Sequence, residues 1–317
     1  MPRPLSRLCA LVATTLAALA LLVAPTAAQA ATRAPRTPSG LPATIEPMAG
    51  YSGQVACDPR TRPGTRKLAT LLAATYSAGR SWNTTYACGT DGSRSEHYDG
   101  RAIDWMVSIR NKAQHAAAKA AIAWLLATDK AGNRFAMARR LGVMYLIYDN
   151  RMWGAWSGRW EDYNGCGKLP SRANDNWCHR THVHISLSWN GAMGRTTFWT
   201  KRVYATDYGP CRYQGMNWAP MYRKRNLSGC QNYASVKAPR KSSSTKKALV
   251  AYSGATLRRG LTGPAVTALQ TALHVRATGH YTGATVAAVR RFQAKHHLGR
   301  SGVMWTRTWR ALLAAVK

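Results

Sequence analysis

Two short segments, far apart in the chain, constrain it more than anything else. Ser95-Glu96-His97-Tyr98-Asp99-Gly100-Arg101-Ala102-Ile103-Asp104 carries a histidine and an aspartate. His179-Arg180-Thr181-His182-Val183-His184-Ile185-Ser186 answers downstream with an H-x-H on an apolar run. His97, Asp104 and His184 would supply the nitrogen and oxygen donors of a three-ligand zinc site whose fourth position stays open, the arrangement of a hydrolytic centre. In a strand, residues i and i+2 share a face, so His182 and His184 point at the same cavity while Val183 turns into the core. One can ligate while the other moves a proton or steadies an oxyanion, because imidazole titrates near neutrality. Any one of these histidines alone is more simply a surface residue. The whole constellation is not.

The motifs S-x-H-x-x-G-x-A-x-D and H-x-x-H-x-H resemble those of the lysostaphin, D-Ala-D-Ala peptidase and sonic hedgehog superfamily, in particular its D-Ala-D-Ala carboxypeptidases and murein endopeptidases. Ser95, His97, Gly100, Ala102 and Asp104 match the first motif. The resemblance implies an α+β zinc peptidase domain with an antiparallel sheet, with Zn2+ on His97, Asp104 and His184. It also implies a catalytic role for His182 and a supporting one for His179. Where the carboxypeptidases carry a Glu three residues before the last ligand, this chain has Thr181, so no carboxylate base comes from that strand. Arg80, in Gly79-Arg80-Ser81, stands where the related enzymes have an arginine that stabilises charge on the substrate carbonyl; a solvated arginine is the simpler account of it.

Arg3 and Arg7 precede the apolar run from Leu8 to Ala24, and Ala28-Gln29-Ala30 is a small-residue cleavage site. Residues 1–30 therefore read as a secretory signal peptide, and no membrane anchor is expected after its removal. Of the 7 cysteines, Cys9 leaves with the signal. Cys57, Cys88, Cys166, Cys178, Cys211 and Cys230 form an even set in an exported protein, which favours disulfides over a thiolate metal site. Proximity alone pairs 57 with 88, 166 with 178 and 211 with 230.

Residues 31–48, rich in Pro, Thr, Ala and Arg, are expected to be a flexible leader, and 49–233 the zinc peptidase-like domain. Within it, Leu68 to Tyr76 and Ala113 to Thr128 have helical patterns, whereas 143–148 and 183–189 look like strands. Trp153, Trp156 and Trp160 are either a packing cluster or a substrate wall, with Glu161 and Asp162 the nearest acidic groups beside them. Residues 234–251, with Lys-Ala-Pro-Arg-Lys-Ser-Ser-Ser-Thr-Lys-Lys, read as a basic linker.

Residues 252–317 contain Gly279-x-Tyr281 with Thr285, then Gly302-Val303 with Thr308, each a glycine turn opening an apolar helical stretch in which the threonine is placed to cap. This module resembles the small three-helix peptidoglycan-binding domain of wall hydrolases, with Thr278-Gly279 and Ser301-Gly302 in place of that family's Asp-Gly turns.

A formal net charge of +33 attracts polyanions. Nucleic acid would qualify, but no helix-turn-helix, zinc-finger or RNA-binding aromatic pattern occurs, and the export signal favours peptidoglycan and anionic cell-wall polymers as partners. The expectation is a secreted, monomeric zinc peptidase of peptidoglycan stem peptides or cross-links, localised outside the cell or at the wall. A wall-binding protein with a vestigial zinc site is the alternative.

Overall fold

The computed structural model describes residues 33–54, 57–89, 93–207, 238–253 and 255–317. The expected signal peptide and the expected Cys211–Cys230 pair lie outside these. No helix among the described residues is long and apolar enough to cross a membrane.

Strand β1 (Met48–Ala49) belongs to a separate two-stranded pair. Six further strands, β2 (Trp82–Asn83), β3 (Ala102–Trp105), β4 (Val143–Tyr148), β5 (Arg151–Gly154), β6 (Arg159–Asp162) and β7 (Val183–Leu187), form one sheet in the order β2-β3-β7-β4-β5-β6, antiparallel throughout. Helices α1 (Pro63–Thr75), α2 (Lys112–Leu126) and α3 (Ala136–Leu141) supply its apolar cover, and two single turns, α4 (Trp189–Ala192) and α5 (Thr197–Thr200), follow β7. Pro63 sits in the first turn of α1, where its missing N–H costs nothing, and Asn111 caps α2 by accepting from the N–H groups of Ala113 and Gln114.

The period of two divides β3 and β7 into two faces. Ile103, Trp105, Val183, Ile185 and Leu187 join Leu68 and Leu72 of α1 and Leu125 of α2 in one buried core. Asp104, His184 and Ser186 are left on the opposite face. Beside them, the motif residue Gly100 adopts φ 73°, and a Cβ there would lie 1.9 Å from the Arg60 carbonyl oxygen, so only glycine lets that backbone pack so closely. The α+β layout of the first module is as the sequence implies, with the strand over 143–148 and helices over 68–76 and 113–128 found in place. Trp153 and Trp160 are cross-strand partners in the β5–β6 hairpin, so their spacing reflects a hairpin. Trp153 is core, packed on Phe135.

Strand β8 (Ala255–Thr256) opens the C-terminal module, after helix α6 (Ser244–Tyr252) and before helices α7 (Pro264–Ala272), α8 (Gly283–Lys295) and α9 (Thr306–Ala315). The last three are the expected three-helix unit. Gln270 and Gln293 organise it identically. The Gln270 amide donates to Thr278 Oγ1, the His280 carbonyl and Thr285 Oγ1, while its oxygen accepts from Gly279 N–H. The Gln293 amide does the same with Ser301 Oγ, the Val303 carbonyl, Thr308 Oγ1 and Gly302 N–H. Thr285 and Thr308 therefore serve as acceptors for these glutamines; the helices begin two residues before each threonine, at Gly283 and Thr306, without a side-chain cap.

Two boundary expectations need correction. Residues 244–251, read as basic linker, are helical: Leu249 and Val250 are buried, and Lys246 Nζ donates to the Val316 carbonyl at 2.8 Å and to that of Leu313, cationic groups at a helix C-terminus being favourable. The lysines that made the segment look like a solvated linker are partly cap chemistry. The flexible leader is likewise ordered over its later residues, because Ile45 and Met48 are fully buried and Arg140 Nη2 donates to the Pro42 carbonyl. Strand β1 pairs with β8, and Arg139 donates to both the Glu46 and Thr262 carbonyls, so this leader stitches the two modules together.

Candidate metal centre

Each of the three expected ligands is placed by a different local device. Ser95 Oγ accepts from His97 N–H at 3.2 Å, starting the 3-10 turn Glu96–Asp99 that carries His97. Asp104 and His184 are direct partners across the β3–β7 ladder. The result is a buried triangle: His184 Nδ1 lies 2.9 Å and His97 Nε2 3.1 Å from Asp104 Oδ1, with 3.3 Å between the two ring nitrogens. Two imidazoles and a carboxylate at zinc bond lengths of about 2.0–2.2 Å in a tetrahedron would hold their donor atoms roughly 3.3–3.5 Å apart. The donor set suits a three-ligand metal site, with separations up to a few tenths of an ångström shorter than those a bound zinc would impose.

The groups behind the triangle fix how it presents itself. Ser186 Oγ donates to Glu96 Oε2 at 3.3 Å, which leaves it to accept from His184 Nε2–H at 2.9 Å. With a metal ion in the triangle, that hydrogen bond would keep the proton on Nε2 and leave the Nδ1 lone pair to ligate. Tyr145 also donates to Glu96 Oε2 and stacks on the His184 ring at 5.4 Å. Tyr86 donates to the second Asp104 oxygen and packs on His97 at 4.4 Å between ring centroids. Burial alone would raise the Asp104 pKa, but the hydrogen bonds and charges of His184 and His97 outweigh it and hold the carboxyl well below the usual range. His97 Nδ1 is buried with no hydrogen-bond partner, so its tautomer is left to whatever occupies the triangle.

His182 stands where the strand periodicity places it, its Nε2 3.5 Å from Asp104 Oδ1. Thr181 Oγ1 donates to Asn176 Oδ1 and lies 2.9 Å from His182 Nδ1, so it accepts the Nδ1 proton and leaves Nε2 unprotonated toward the triangle. Burial, followed by the neighbouring imidazoles, depresses the His182 pKa against the pull of Asp104. His179 adopts φ 53°, which turns its ring to 4.7 Å from that of His182 and 5.7 Å from that of His184. Burial and then the charges of His184 and His182 push it down to about 3. Both are neutral imidazoles at physiological pH. The Cys166–Cys178 disulfide braces this approach, and Cys57–Cys88 anchors the segment bearing Tyr86, two of the expected pairs.

Other expected residues are not brought together here. Arg80 is exposed and lies outside β2, two residues before its first residue, Trp82. Glu161 and Asp162 lie exposed on β6, three strands from β7. Of the tryptophans, Trp156 comes nearest, edge-on to Tyr145 and Tyr51. Sequence reasoning missed Glu96, Ser186, Tyr145 and Tyr86. Ser186 had a signal, being two residues beyond His184 and so on the same strand face; Tyr86 had none.

Residues 57–174 match the family profile described as VldE, C-terminal domain, and residues 262–312 match the one described as putative peptidoglycan binding domain. The first match takes in His97 and Asp104 and ends before His179, His182 and His184. The second supports association with the cell wall. No curated protein and no solved structure matches the chain. Fold and site together define a two-module protein in which an α+β domain carrying a buried His/Asp/His cluster is docked to a peptidoglycan-binding-type helical module.

Proposed function

We propose that this protein is a secreted zinc-dependent peptidase that hydrolyses peptide bonds in peptidoglycan stem peptides or cross-links, and that its C-terminal module holds it on the wall. The observation that carries this reading is the triangle of His97 Nε2, Asp104 Oδ1 and His184 Nδ1, with separations of 2.9 to 3.3 Å. The two disulfides fit an oxidising compartment.

His97, Asp104 and His184 would hold the ion; zinc in such a site supplies Lewis acidity toward a carbonyl oxygen and activates water for attack. The chain's own groups do the rest. Asp104, ionised and anchored by Tyr86, contributes the negative charge that favours a divalent cation. His182 presents an unprotonated Nε2 to the same cavity, suited to accept a proton from the attacking water and return it to the leaving amine. Thr181 holds His182 in that tautomer, and so has an orienting task where related carboxypeptidases carry a glutamate. His179, kept neutral by burial, packs against His182 and limits its movement. The test is mass spectrometry of muropeptides incubated with zinc-loaded protein. New stem-peptide termini, absent with His182→Ala, are the expected outcome, and their masses identify the bond. Intact muropeptides with a stoichiometrically loaded site would overturn the enzymatic reading in favour of a wall-binding protein.

A further inference from the structure

The C-terminal module has a cationic cleft that the zinc chemistry does not use. Arg258 and Arg259 after β8, Arg290 and Arg291 on α8, and Arg300 on the turn following α8 line a cleft of about 680 Å³. No Asp or Glu occurs after Asp207, so the module has no carboxylate side chain of its own to neutralise them. Five guanidinium groups sharing one cleft repel one another, and an anion bound among them would relieve that repulsion. Arg259, Arg290, Arg291 and Arg300 are exposed. Arg258 is half-buried, donates to the Ser157 carbonyl, and keeps Nη2 without a partner.

Three features point to the chemistry of the ligand. Every cation lining the cleft is arginine and none is lysine, although the module has Lys295 and Lys317 elsewhere. The planar fork of arginine matches phosphate oxygens bidentately, which lysine cannot do. Gly283, the first residue of α8, also lines the cleft, and that helix start has no side-chain cap. Its free N–H groups add a second anion-favouring element. Finally, the cleft is far larger than one phosphate, so it accommodates successive charges along a chain.

We infer that this arginine cleft binds a phosphodiester polymer of the cell wall, with arginine pairs engaging successive phosphates. The inference deepens the proposed function by naming a second wall partner, and rests on that reading only for the location at the wall. Placement gives the binding a consequence. Ser157, held by Arg258, lies in the β5–β6 turn beside Trp156, which packs on Tyr145, the residue stacked on His184. Polymer in the cleft is therefore held at a fixed position relative to the His/Asp/His cluster.

The full-length protein and its Arg290→Gln/Arg300→Gln variant should be titrated with soluble poly(glycerol phosphate), and pelleted with walls before and after the phosphodiester polymer is stripped by acid. The control is Arg240→Gln/Arg276→Gln, which removes the same charge from exposed positions outside the cleft. The cleft variant is expected to bind the polymer roughly tenfold more weakly and with a shallower salt dependence, while the control stays within about twofold of the unaltered protein. Equal losses in both variants, or none in the cleft variant, would overturn the assignment, the first by showing diffuse charge attraction. Duplex DNA bound as tightly, with the same dependence on Arg290 and Arg300, would overturn the choice of a wall polymer. Muropeptide cleavage is read in parallel. Its absence in every protein, with cleft-dependent polymer binding intact, counts against the peptidase reading alone.

Discussion

Asp104 faces His184 across the β3–β7 ladder, and their side chains close to 2.9 Å between Oδ1 and Nδ1. Two of the three candidate ligands are thus held by sheet register, and only His97 comes from a separate turn. His97→Ala, Asp104→Ala and His184→Ala should each lower zinc content well below one per chain, because a three-ligand site loses its geometry with any one donor. Elemental analysis of the purified variants checks this; stoichiometric zinc in all three would refute the ligand assignment.

The Glu96–Ser186–His184 chain is expected to tune the metal. Ser186→Ala removes the hydroxyl that holds His184 Nε2–H, so zinc affinity should fall about 10- to 100-fold with the fold intact. Competition with a chromophoric chelator, alongside circular dichroism, measures both. Unchanged affinity would mean that Ser186 has no influence on the ligand.

His182 is expected to separate binding from turnover. His182→Ala should keep zinc and lower kcat by about 100- to 10,000-fold. Thr181→Val, which leaves His182 Nδ1 without its acceptor, should lower kcat less and leave zinc untouched. Steady-state kinetics on purified muropeptides decides; full activity in His182→Ala would move the proton-transfer role elsewhere.

Glu46 gives a pH signature remote from the cluster. Burial pushes its pKa from 4.5 up to about 7, although Thr197 donates to both of its oxygens. The folded state then binds a proton that the unfolded state releases. The stabilisation is complete below about pH 4.5 and is lost as pH rises through 7, amounting to about 3 kcal/mol. Glu46→Gln should flatten this slope in denaturant titrations between pH 4.5 and 7.5. An identical slope in the variant would assign the effect to another group.

In the helical module, Gln293→Ala should destabilise by about 2–4 kcal/mol, since it strands the buried Gly302 N–H and the groups at Ser301, Val303 and Thr308 that the amide now satisfies. Calorimetry provides the measure, and a loss below about 0.5 kcal/mol would show that the network is not structural.

Periodicity and short motifs determined much of this protein. Alternation along 182–187 was enough to put His182 and His184 on one face, and the glycine turns marked the repeated helical unit. The cysteines that pair in space, 57 with 88 and 166 with 178, are successive cysteines in the sequence. Tertiary structure decided what depends on contacts between distant residues. Tyr86 reaches Asp104 because a disulfide anchors its segment, and Ser186 reaches Glu96 because β7 lies beside the turn carrying His97. The basic run before Tyr252 became a helix because Leu249 and Val250 had a core to enter and Lys246 had helix carbonyls to cap. The end of the leader enters strand β1 because β8, some two hundred residues later, offered it an edge. Local sequence encodes the preference of a segment for helix, strand or turn; whether a polar run stays solvated or is buried depends on which partner the fold delivers, because burial is favourable only where apolar area and hydrogen-bond partners are both supplied.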